Sequence, residues 1–496
     1  MRRLVTGWRG RGGSAACAGV GAVGAMLAVI ALPGAAVAAG VSDPYVYAKG
    51  AQTVSGAQDS TEAPLLRTGG TYRSSLGTGV KGAAYYKVEL DRAANAYVSV
   101  VAVPPLGPRV KVAYSDGVTV TLQDRNGNRC DSEHATFRSG AYPQPVAAVA
   151  ERLVRPGGMR CQAAGTYYVL VERKTDAEST QEVWGLELHV ATEPGLVSAA
   201  PTEGPTAWPS ASVEPPSGKA VPRTGGTGFN DAEALPAGAW KDGIRPGQSR
   251  FYRVPVDWGQ QLFVDAELGS AAGDVTRRGF VTGALDLELY NPARASVVAK
   301  EASYAGDPTS AAFDPLPPVA YENRYLMRAD QSAMRLAGWY YLKVTLNPAM
   351  AQKFGDKESG VTLRVTVGGA ARQAPDYVRD PGDFQVTAAD REAAQQGEGG
   401  AVWAEGPGAG EGSGGDAGAE GAAAGGAGSG GGSAGDGPGG TGSASPSSPA
   451  ASSSSTSSGS GGMMLLGLAG VGTGAALVLW LGVWRVVAVR RVRAGS

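Results

Sequence analysis

Oxygen-donor side chains stand at alternate positions in two places along the chain. Asp124, Asn126 and Asn128 alternate across a short polar stretch. Asp286 and Glu288 share one face of a predicted strand. Hard oxygen donors at such spacing suit calcium, the one cofactor that the sequence suggests. Two other interpretations stay open, because Asn-Gly is a preferred hairpin-turn pair and two acids on a strand can form a solvated face.

Cys130 and Cys161 are the two cysteines that remain if residues 1–39 are removed. An even pair in an exported domain favours a disulfide. The bridge would close a loop of about 30 residues and contribute roughly 3 kcal/mol to stability. A metal site would need more ligands than two cysteines and distant histidines supply.

Groups that could perform catalysis are sparse. The chain has two histidines, His134 and His189, and the alternating pattern around His189 favours a solvent-facing position. No His-Glu-x-x-His metalloprotease pattern and no phosphate-binding Gly-Lys-Ser/Thr pattern occurs. Nothing singles out one pair among the 45 acids. The sequence therefore predicts a protein that is not an enzyme.

Proline-led insertions occur in both halves of the chain. The first holds Tyr142, Pro145 and Val146, and the apolar residues after it fall at helical spacing, which predicts a short helix. The candidate docking residues of the second insertion are Phe313, Pro318, Val319, Tyr321 and Tyr325. Long irregular insertions often carry function, so these residues are candidates for docking a partner. The alternative is that each insertion plugs an open end of its domain.

The elements that position these residues are written twice. Arg67-Thr68-Gly69-Gly70-Thr71 returns as Arg223-Thr224-Gly225-Gly226-Thr227. Ala164-Gly165-Thr166-Tyr167-Tyr168 returns as Ala337-Gly338-Trp339-Tyr340-Tyr341. A repeat of this length predicts two similar domains in tandem, since the repeats of solenoids are much shorter.

Short strands with period-two alternation fill both copies. Aromatic and β-branched residues predict strands over residues 85–90, 97–103, 118–122, 167–171, 186–190, 251–256, 262–268, 285–290, 340–346 and 361–367. Strands at this spacing are typical of antiparallel sandwiches. The predicted fold is all-β, with two tandem antiparallel β-sandwich domains of the jelly-roll kind.

Three of these segments resemble the bacterial pre-peptidase C-terminal domain. They are residues 85–90, the central Leu285-Asp286-Leu287-Glu288-Leu289-Tyr290-Asn291-Pro292, and the late Ala-Gly-x-Tyr-Tyr strand. The resemblance implies small β-sandwiches that are appended to secreted enzymes and serve binding or maturation rather than catalysis. The first copy departs from the pattern, with Val118-Thr119-Val120 where an acidic, leucine-rich strand is expected. High Ala, Gly, Val and Arg usage is similar to that of actinobacterial proteins.

Composition divides the rest of the chain. Residues 41–193 and 222–369 are the two domains, and the proline-rich linker 194–221 is expected to separate them without fixing one against the other. Residues 370–462 are polar and then rich in glycine and serine, with a short helix predicted over residues 388–396. The later part cannot bury enough apolar surface to fold, which predicts a disordered tether.

Both ends of the chain indicate export and a membrane. Residues 1–39 combine arginines, an apolar stretch and a cleavage pattern of small residues, which is typical of a cleaved signal peptide. Residues 463–484 are 22 uncharged residues, enough for one transmembrane helix. The basic residues of the tail 485–496 are Arg485, Arg490, Arg491 and Arg493. Positive charge beside a span marks its cytoplasmic side, so the N-terminus is predicted outside the cell membrane.

A net charge of -1 gives no general attraction to nucleic acid. The leading hypothesis is a membrane-anchored extracellular binding protein that presents two β-sandwiches to a partner protein or a cell-wall glycan. One alternative is an exported hydrolase or an accessory subunit of a hydrolase complex. Another is a passive surface stalk that spaces other components.

Overall fold

The computed structural model describes residues 44–107, 109–155, 157–198, 201–271 and 279–397. The predicted signal peptide, the glycine- and serine-rich tether, the predicted span 463–484 and its basic tail, including Arg485, lie outside these residues. Within the described part, no helix is long and apolar enough to cross a membrane.

The first half of the described chain folds into two five-stranded sheets. Its strands are β1 Gln52–Thr53, β2 Leu65–Leu66, β3 Thr71–Leu76, β4 Ala83–Leu90, β5 Asn95–Val103, β6 Gly117–Asp124, β7 Arg129–Thr136, β8 Val146–Arg152, β9 Gly165–Lys174 and β10 Trp184–Glu193. Sheet 1 has the order β1-β3-β10-β5-β8, and sheet 2 has the order β2-β4-β9-β6-β7. The first pair in each sheet is parallel and the others are antiparallel.

The second half repeats this topology. Its strands are β11 Val221–Pro222, β12 Glu233–Ala234, β13 Gly238–Ile244, β14 Ser249–Val256, β15 Gln261–Leu268, β16 Val281–Tyr290, β17 Ser296–Tyr304, β18 Thr309–Ala312, β19 Gly338–Leu346 and β20 Ser359–Gly368. Sheet 3 has the order β11-β13-β20-β15-β18, and sheet 4 has the order β12-β14-β19-β16-β17. Every strand thus has a counterpart in the other half, so the sequence repeat is a repeat of β-sandwich topology.

All ten predicted strands are confirmed, but the short helix predicted after Pro145 is wrong. That segment is strand β8, which pairs antiparallel with β5. Its residues are almost all buried, so its apolar pattern lacks the alternation that identifies a half-exposed strand. The topological counterpart of β8 is β18, which precedes Pro315 rather than following it. The two proline-led insertions therefore occupy different places in the two sandwiches.

Helical structure is short. Three 3-10 helices span Gly79–Gly82, Arg138–Gly140 and Tyr321–Tyr325, and three α-helices are α1 Ala329–Ser332, α2 Ala349–Phe354 and α3 Ala388–Gln396, counted over the described residues. Helix α3 confirms the predicted bounds. Its start is fixed by a capping box, in which the Thr387 side chain accepts from the Asp390 amide and Asp390 accepts from the Thr387 amide.

The predicted disulfide is confirmed between Cys130 and Cys161, whose Cα atoms lie 5.7 Å apart. It links strand β7 to the loop that precedes β9. The sequence separation of 31 residues corresponds to a loop-closure contribution of roughly 3–4 kcal/mol. The bridge therefore holds the edge of sheet 2 without help from the second sandwich.

The two sandwiches pack directly against each other, so the expectation that the linker merely separates them is wrong. Strands β5 in sheet 1 and β19 in sheet 4 are buried along nearly their whole length, whereas β9 and β20 alternate between buried and half-exposed residues. Val101 and Ala147 of the first sandwich share one apolar cluster with Phe251 and Tyr341 of the second. Sheets 1 and 4 thus each cover a core on one face and the other sandwich on the opposite face.

Two terminal segments cross this contact. The N-terminal arm, residues 44–48, packs Tyr45 against Phe251, with ring centroids 6.5 Å apart. The C-terminal strap, residues 370–397, places the fully buried Phe384 in a cluster with Tyr97 of the first sandwich and Leu336 of the second. Part of the polar segment that was predicted as linker therefore belongs to the folded unit.

Candidate functional site at the junction of the sandwiches

Glu187 on β10 is the centre of the first buried ionic cluster. Its carboxylate accepts from Arg294 Nη1 at 2.6 Å, from Asn230 Nδ2 at 2.8 and 2.9 Å, and from the Tyr45 hydroxyl at 3.2 Å. Arg294 stands at φ 63° in the β16–β17 turn, held there by the Asn291 side chain, which accepts two turn amides. The cluster therefore joins both sandwiches and the N-terminal arm.

Glu193 at the end of the same strand is the centre of a second cluster. It accepts from Arg324 Nη2 at 2.8 Å, from Asn95 Nδ2 at 2.6 Å and from the Tyr377 hydroxyl at 2.8 Å. Burial alone would raise the pKa of Glu193, but the Arg324 charge and these hydrogen bonds outweigh it and lower the pKa. Because Tyr377 belongs to the C-terminal strap, this cluster joins the strap to both sandwiches.

Asp286 and Glu288, candidate calcium ligands on β16, face the first sandwich. Arg138 Nη2 contacts both carboxyl groups, at 3.2 Å to Asp286, and Lys343 Nζ lies 2.8 Å from Glu288. The solvated-face interpretation is wrong, since both acids are buried. Protein cations thus compensate the charge that calcium would have compensated. In the described residues, no group of three or more His, Cys, Asp and Glu could hold a metal ion.

The other candidate calcium group forms a hairpin turn. Asp124 Oδ1 accepts from the amides of Asn126 and Asn128, both at 2.9 Å, and its Oδ2 accepts from Asn128 Nδ2 at 2.9 Å. Gly127 supplies the positive φ of 79°. The carboxylate that would bind a metal is therefore occupied by its own turn.

We expect the Asp286–Glu288 pair to make stability depend on pH. Burial, and then the neighbouring Glu288, raise the pKa of Asp286 to about 8. The folded state therefore binds the Asp286 proton more tightly than the unfolded state, whose carboxyl pKa is near 3.9. This proton contributes fully to the free energy of unfolding below that pH, and its contribution is lost as the pH rises through about 8.

Thermal unfolding measured from pH 6 to pH 9 should therefore show a loss on the order of 1–2 kcal/mol for the wild type and a flatter profile for Asp286→Asn. Asp314→Asn, on an exposed side chain that pairs with Lys300, is the matched control and should follow the wild type. If the stability of Asp286→Asn and of the wild type fell equally with pH, the loss would not come from Asp286.

An uncharged groove, here called the junction groove, opens beside these clusters. Its volume is about 410 Å³. The lining residues are Pro44, Tyr45, Tyr47, Val103, Pro104, Pro105, Leu106, Pro143, Gln144, Pro145, Val183, Gly185, Thr227, Gly247 and Ser249. They come from the N-terminal arm and both sandwiches, and none carries a charge. A cleft so rich in proline and tyrosine suits an apolar, extended ligand.

The candidate docking residues are dispersed in the structure. Pro145 lines the junction groove, and its carbonyl accepts from Lys343 Nζ at 3.1 Å, whereas Tyr142 and Val146 are buried nearby. In the second insertion, Phe313 and Val319 lie in the core of sandwich 2. Pro318 accepts from Asn323 Nδ2, Tyr321 lies 3.4 Å under the Arg324 guanidinium, and Tyr325 is half-buried. The described structure thus brings only the first insertion to the groove.

His189 corrects another expectation, because it is buried rather than solvent-facing. Its Nδ1 lies 2.9 Å from Thr71 Oγ1, and its Nε2 lies 3.4 Å from Asp383 of the C-terminal strap. The outward face of β10 is covered by the second sandwich and the strap, which the local sequence pattern does not reveal. The histidine therefore contributes to the junction.

Sequence reasoning missed the residues that shape the groove. Tyr47 leans over Gly185, where a Cβ atom would come within 2.0 Å of the Tyr47 hydroxyl, so only glycine leaves room for this ring. Arg73 covers the ring at 4.2 Å from its centroid. The proline pair Pro104-Pro105 directly after a strand was the one signal that marked this edge.

No protein-family model matches the chain, and no curated protein matches it. One similar solved structure is the pre-peptidase C-terminal domain of a collagenase from Bacillus anthracis, with 19% identity, 26% of this chain and 94% of that chain covered, and a TM-score of 0.17. The ANX1 ectodomain from Arabidopsis thaliana shows 11% identity, with 67% of this chain and 98% of that chain covered and a TM-score of 0.18. The CUB1-EGF-CUB2 domains of rat MASP-1 show 9% identity, with 63% of this chain and 99% of that chain covered and a TM-score of 0.15. At these values the similarities carry no argument about what this chain does.

Proposed function

We propose that the chain is an exported, membrane-held binding protein whose two sandwiches act as one rigid head. In this proposal residues 1–39 are a signal peptide, residues 463–484 anchor the chain, and both sandwiches are of the pre-peptidase C-terminal kind. The junction groove is the observation that carries the proposal. It is a concave, uncharged surface to which both sandwiches and the N-terminal arm contribute.

The lining of the groove favours a protein segment over a cell-wall glycan. A sugar carries hydroxyl groups around its ring, and each hydroxyl that enters an apolar groove without a partner costs free energy. Five prolines and two tyrosines line the groove, and its surface as a whole is more apolar than polar. None of the lining residues is an acid, a base or a thiol, so hydrolysis at this place has no support.

The proposal predicts that a charge in the groove abolishes partner capture. Val183 lines the groove and is 58% exposed, so Val183→Asp introduces a carboxylate without disturbing the core. Detergent-solubilised full-length protein is immobilised and offered extracted surface proteins and, separately, purified cell wall. We expect the wild type to retain a surface protein and Val183→Asp to retain at least tenfold less, because an unpaired charge must be desolvated on binding.

Val80→Asp is the matched control, since Val80 is 85% exposed and lies outside the groove. It should capture as much as the wild type. Equal capture by Val183→Asp and Val80→Asp would place the partner elsewhere. Retention of the cell wall alone would favour the glycan hypothesis.

A further inference from the structure

A second cavity, here called the turn cavity, lies beside the turn that joins β6 to β7. Its volume is about 410 Å³, and most of its lining residues are polar or charged, in contrast to those of the junction groove. The polar lining includes Asp124, Arg125, Asn126, Asn128, Arg160 and Thr166. Glu89 reaches the edge of the cavity, because its carboxylate accepts from Thr166 Oγ1 at 2.6 Å.

The charges at the turn cavity balance. Arg125 and Arg160 supply two positive charges, whereas Asp124 and Glu89 supply two negative charges. A site without net charge favours neither a phosphate-bearing ligand nor a basic peptide. Its amide and guanidinium groups donate hydrogen bonds, and its carboxylate, amide and hydroxyl oxygens accept them. A neutral ligand that donates and accepts at many points satisfies such a lining.

Two tyrosines continue this surface along the outer face of sheet 2. Tyr168 follows Thr166 by two residues on β9, so the two side chains lie on the same face. Tyr85 on β4 lies diagonally across from Tyr168, since the residue directly opposite Tyr168 is Lys87. Both tyrosines are half-buried, whereas their neighbours along each strand are buried in the core. The two rings are therefore neighbours on a face that is open to solvent.

The counterpart of this face in the second sandwich is covered by protein. Phe251 and Tyr341 occupy the positions of the two tyrosines in the strand pairing, and both lie in the apolar cluster of the junction. Trp339 of the same cluster occupies the position of Thr166. Sheet 2 thus keeps two aromatic rings but has a hydroxyl where the covered face has an indole. This difference favours a polar ligand over a second apolar protein face.

We propose that the turn cavity and the two tyrosines beside it bind a neutral saccharide chain. The carbon-rich face of a pyranose ring packs on a tyrosine ring, and its hydroxyl groups donate to and accept from the polar lining. This ligand differs in class from the one proposed for the junction groove. Among the described residues, none lines both sites, so the two ligands can bind at once. The head would then hold a surface protein against a glycan.

Calorimetric titration of the full-length protein tests this proposal, in a detergent without a sugar headgroup. Cellohexaose and chitohexaose are the neutral probes. We expect at least one of them to bind with a dissociation constant below about 1 mM. Tyr168→Ala should weaken this binding at least tenfold, because the packing surface for the sugar ring is lost, whereas Tyr168→Trp should retain it. Arg160→Ala, in the cavity itself, should also weaken it at least tenfold.

Tyr114→Ala is the matched control, since Tyr114 is 68% exposed on the first sandwich and lies outside the turn cavity. It should bind the probe as the wild type does. The proposal is overturned if neither probe binds, or if Tyr168→Ala and Tyr114→Ala lose binding equally. Tighter binding of a sulfated hexasaccharide than of both neutral probes would overturn the assignment of a neutral ligand.

The same titration separates this inference from the proposed function. Val183→Asp, in the junction groove, should bind the saccharide as tightly as the wild type. Loss of saccharide binding in Val183→Asp would place the sugar in the groove and overturn the inference. Capture of a surface protein that is lost in Tyr168→Ala would assign the outer face of sheet 2 to a protein, with the same consequence. Absence of saccharide binding while protein capture still depends on Val183 would refute this inference alone.

Discussion

Replacing Arg294 by alanine should destabilise the folded unit by about 3–5 kcal/mol. The Arg294 guanidinium is fully buried and lies 2.6 Å from the fully buried carboxylate of Glu187. Removing it leaves an uncompensated charge between the sandwiches, and such a charge costs far more than the pair contributes. The same guanidinium lies 5.0 Å over the Phe229 ring, so the apolar cluster of the junction also loses a contact.

Unfolding by guanidinium chloride, followed by tryptophan fluorescence, measures this loss of stability. Lys300→Ala is the matched control, because Lys300 pairs with Asp314 at 2.7 Å in an exposed position, and its loss should cost less than about 1 kcal/mol. Combining Arg294→Ala with Glu187→Gln should recover part of the lost stability, since the buried Glu187 carboxylate that lacks its cation is then replaced by a neutral amide. If Arg294→Ala cost no more than Lys300→Ala, the buried pair would not hold the junction.

Phe384→Ala should cost about 3–5 kcal/mol of docking free energy for the C-terminal strap. The Phe384 ring is fully buried and lies 5.2 Å from the Tyr97 ring in an edge-to-face arrangement. Its neighbours come from both sandwiches, Val149 and Ala191 from the first and Ala293 and Leu336 from the second. A cavity at this point cannot be refilled by either sandwich alone.

Amide hydrogen exchange separates strap release from global unfolding. We expect amides of α3 and of residues 376–384 to exchange at least a hundredfold faster in Phe384→Ala, while strands β9 and β20 keep their protection. Val378→Ala is the matched control, because Val378 lies on the same strap and is 54% exposed. Unchanged exchange in the strap would show that other contacts are sufficient to hold it.

The two-sandwich architecture was predictable from sequence because strands such as β9 and β20 alternate between buried and more exposed residues. Residues of β9 point alternately to the core and outward, and aromatic side chains at matching positions mark the repeat. The relation between the sandwiches was not predictable. Glu187, His189 and Glu193 have the spacing of an exposed strand face, and nothing local shows that a second sandwich covers them.

The candidate site was predictable only in fragments for the same reason. Asp286 and Glu288 stand out as acids on a strand, but their partner Arg138 is 148 residues away in sequence from Asp286 and belongs to the other sandwich. Pro145 was selected for its position in an insertion, whereas Tyr47 and Val183 reach the groove only through folding. Contacts over such separations are decided by packing rather than by periodicity.

The contact between the sandwiches joins faces that are not equivalent. Sheet 1 of the first copy meets sheet 4 of the second, yet the counterpart of sheet 4 in the first copy is sheet 2. Such a head-to-tail contact has no twofold axis and does not close on itself, so with apolar outer faces it would propagate into fibres. The outer faces are charged instead: Arg364 pairs with Glu267 at 2.9 Å on sheet 3, and Glu89 and Glu172 are exposed on sheet 2. Because these outer faces are charged, the contact between the sandwiches is not repeated at the ends of the two-sandwich unit. The duplication therefore yields a pair of packed domains and not a filament.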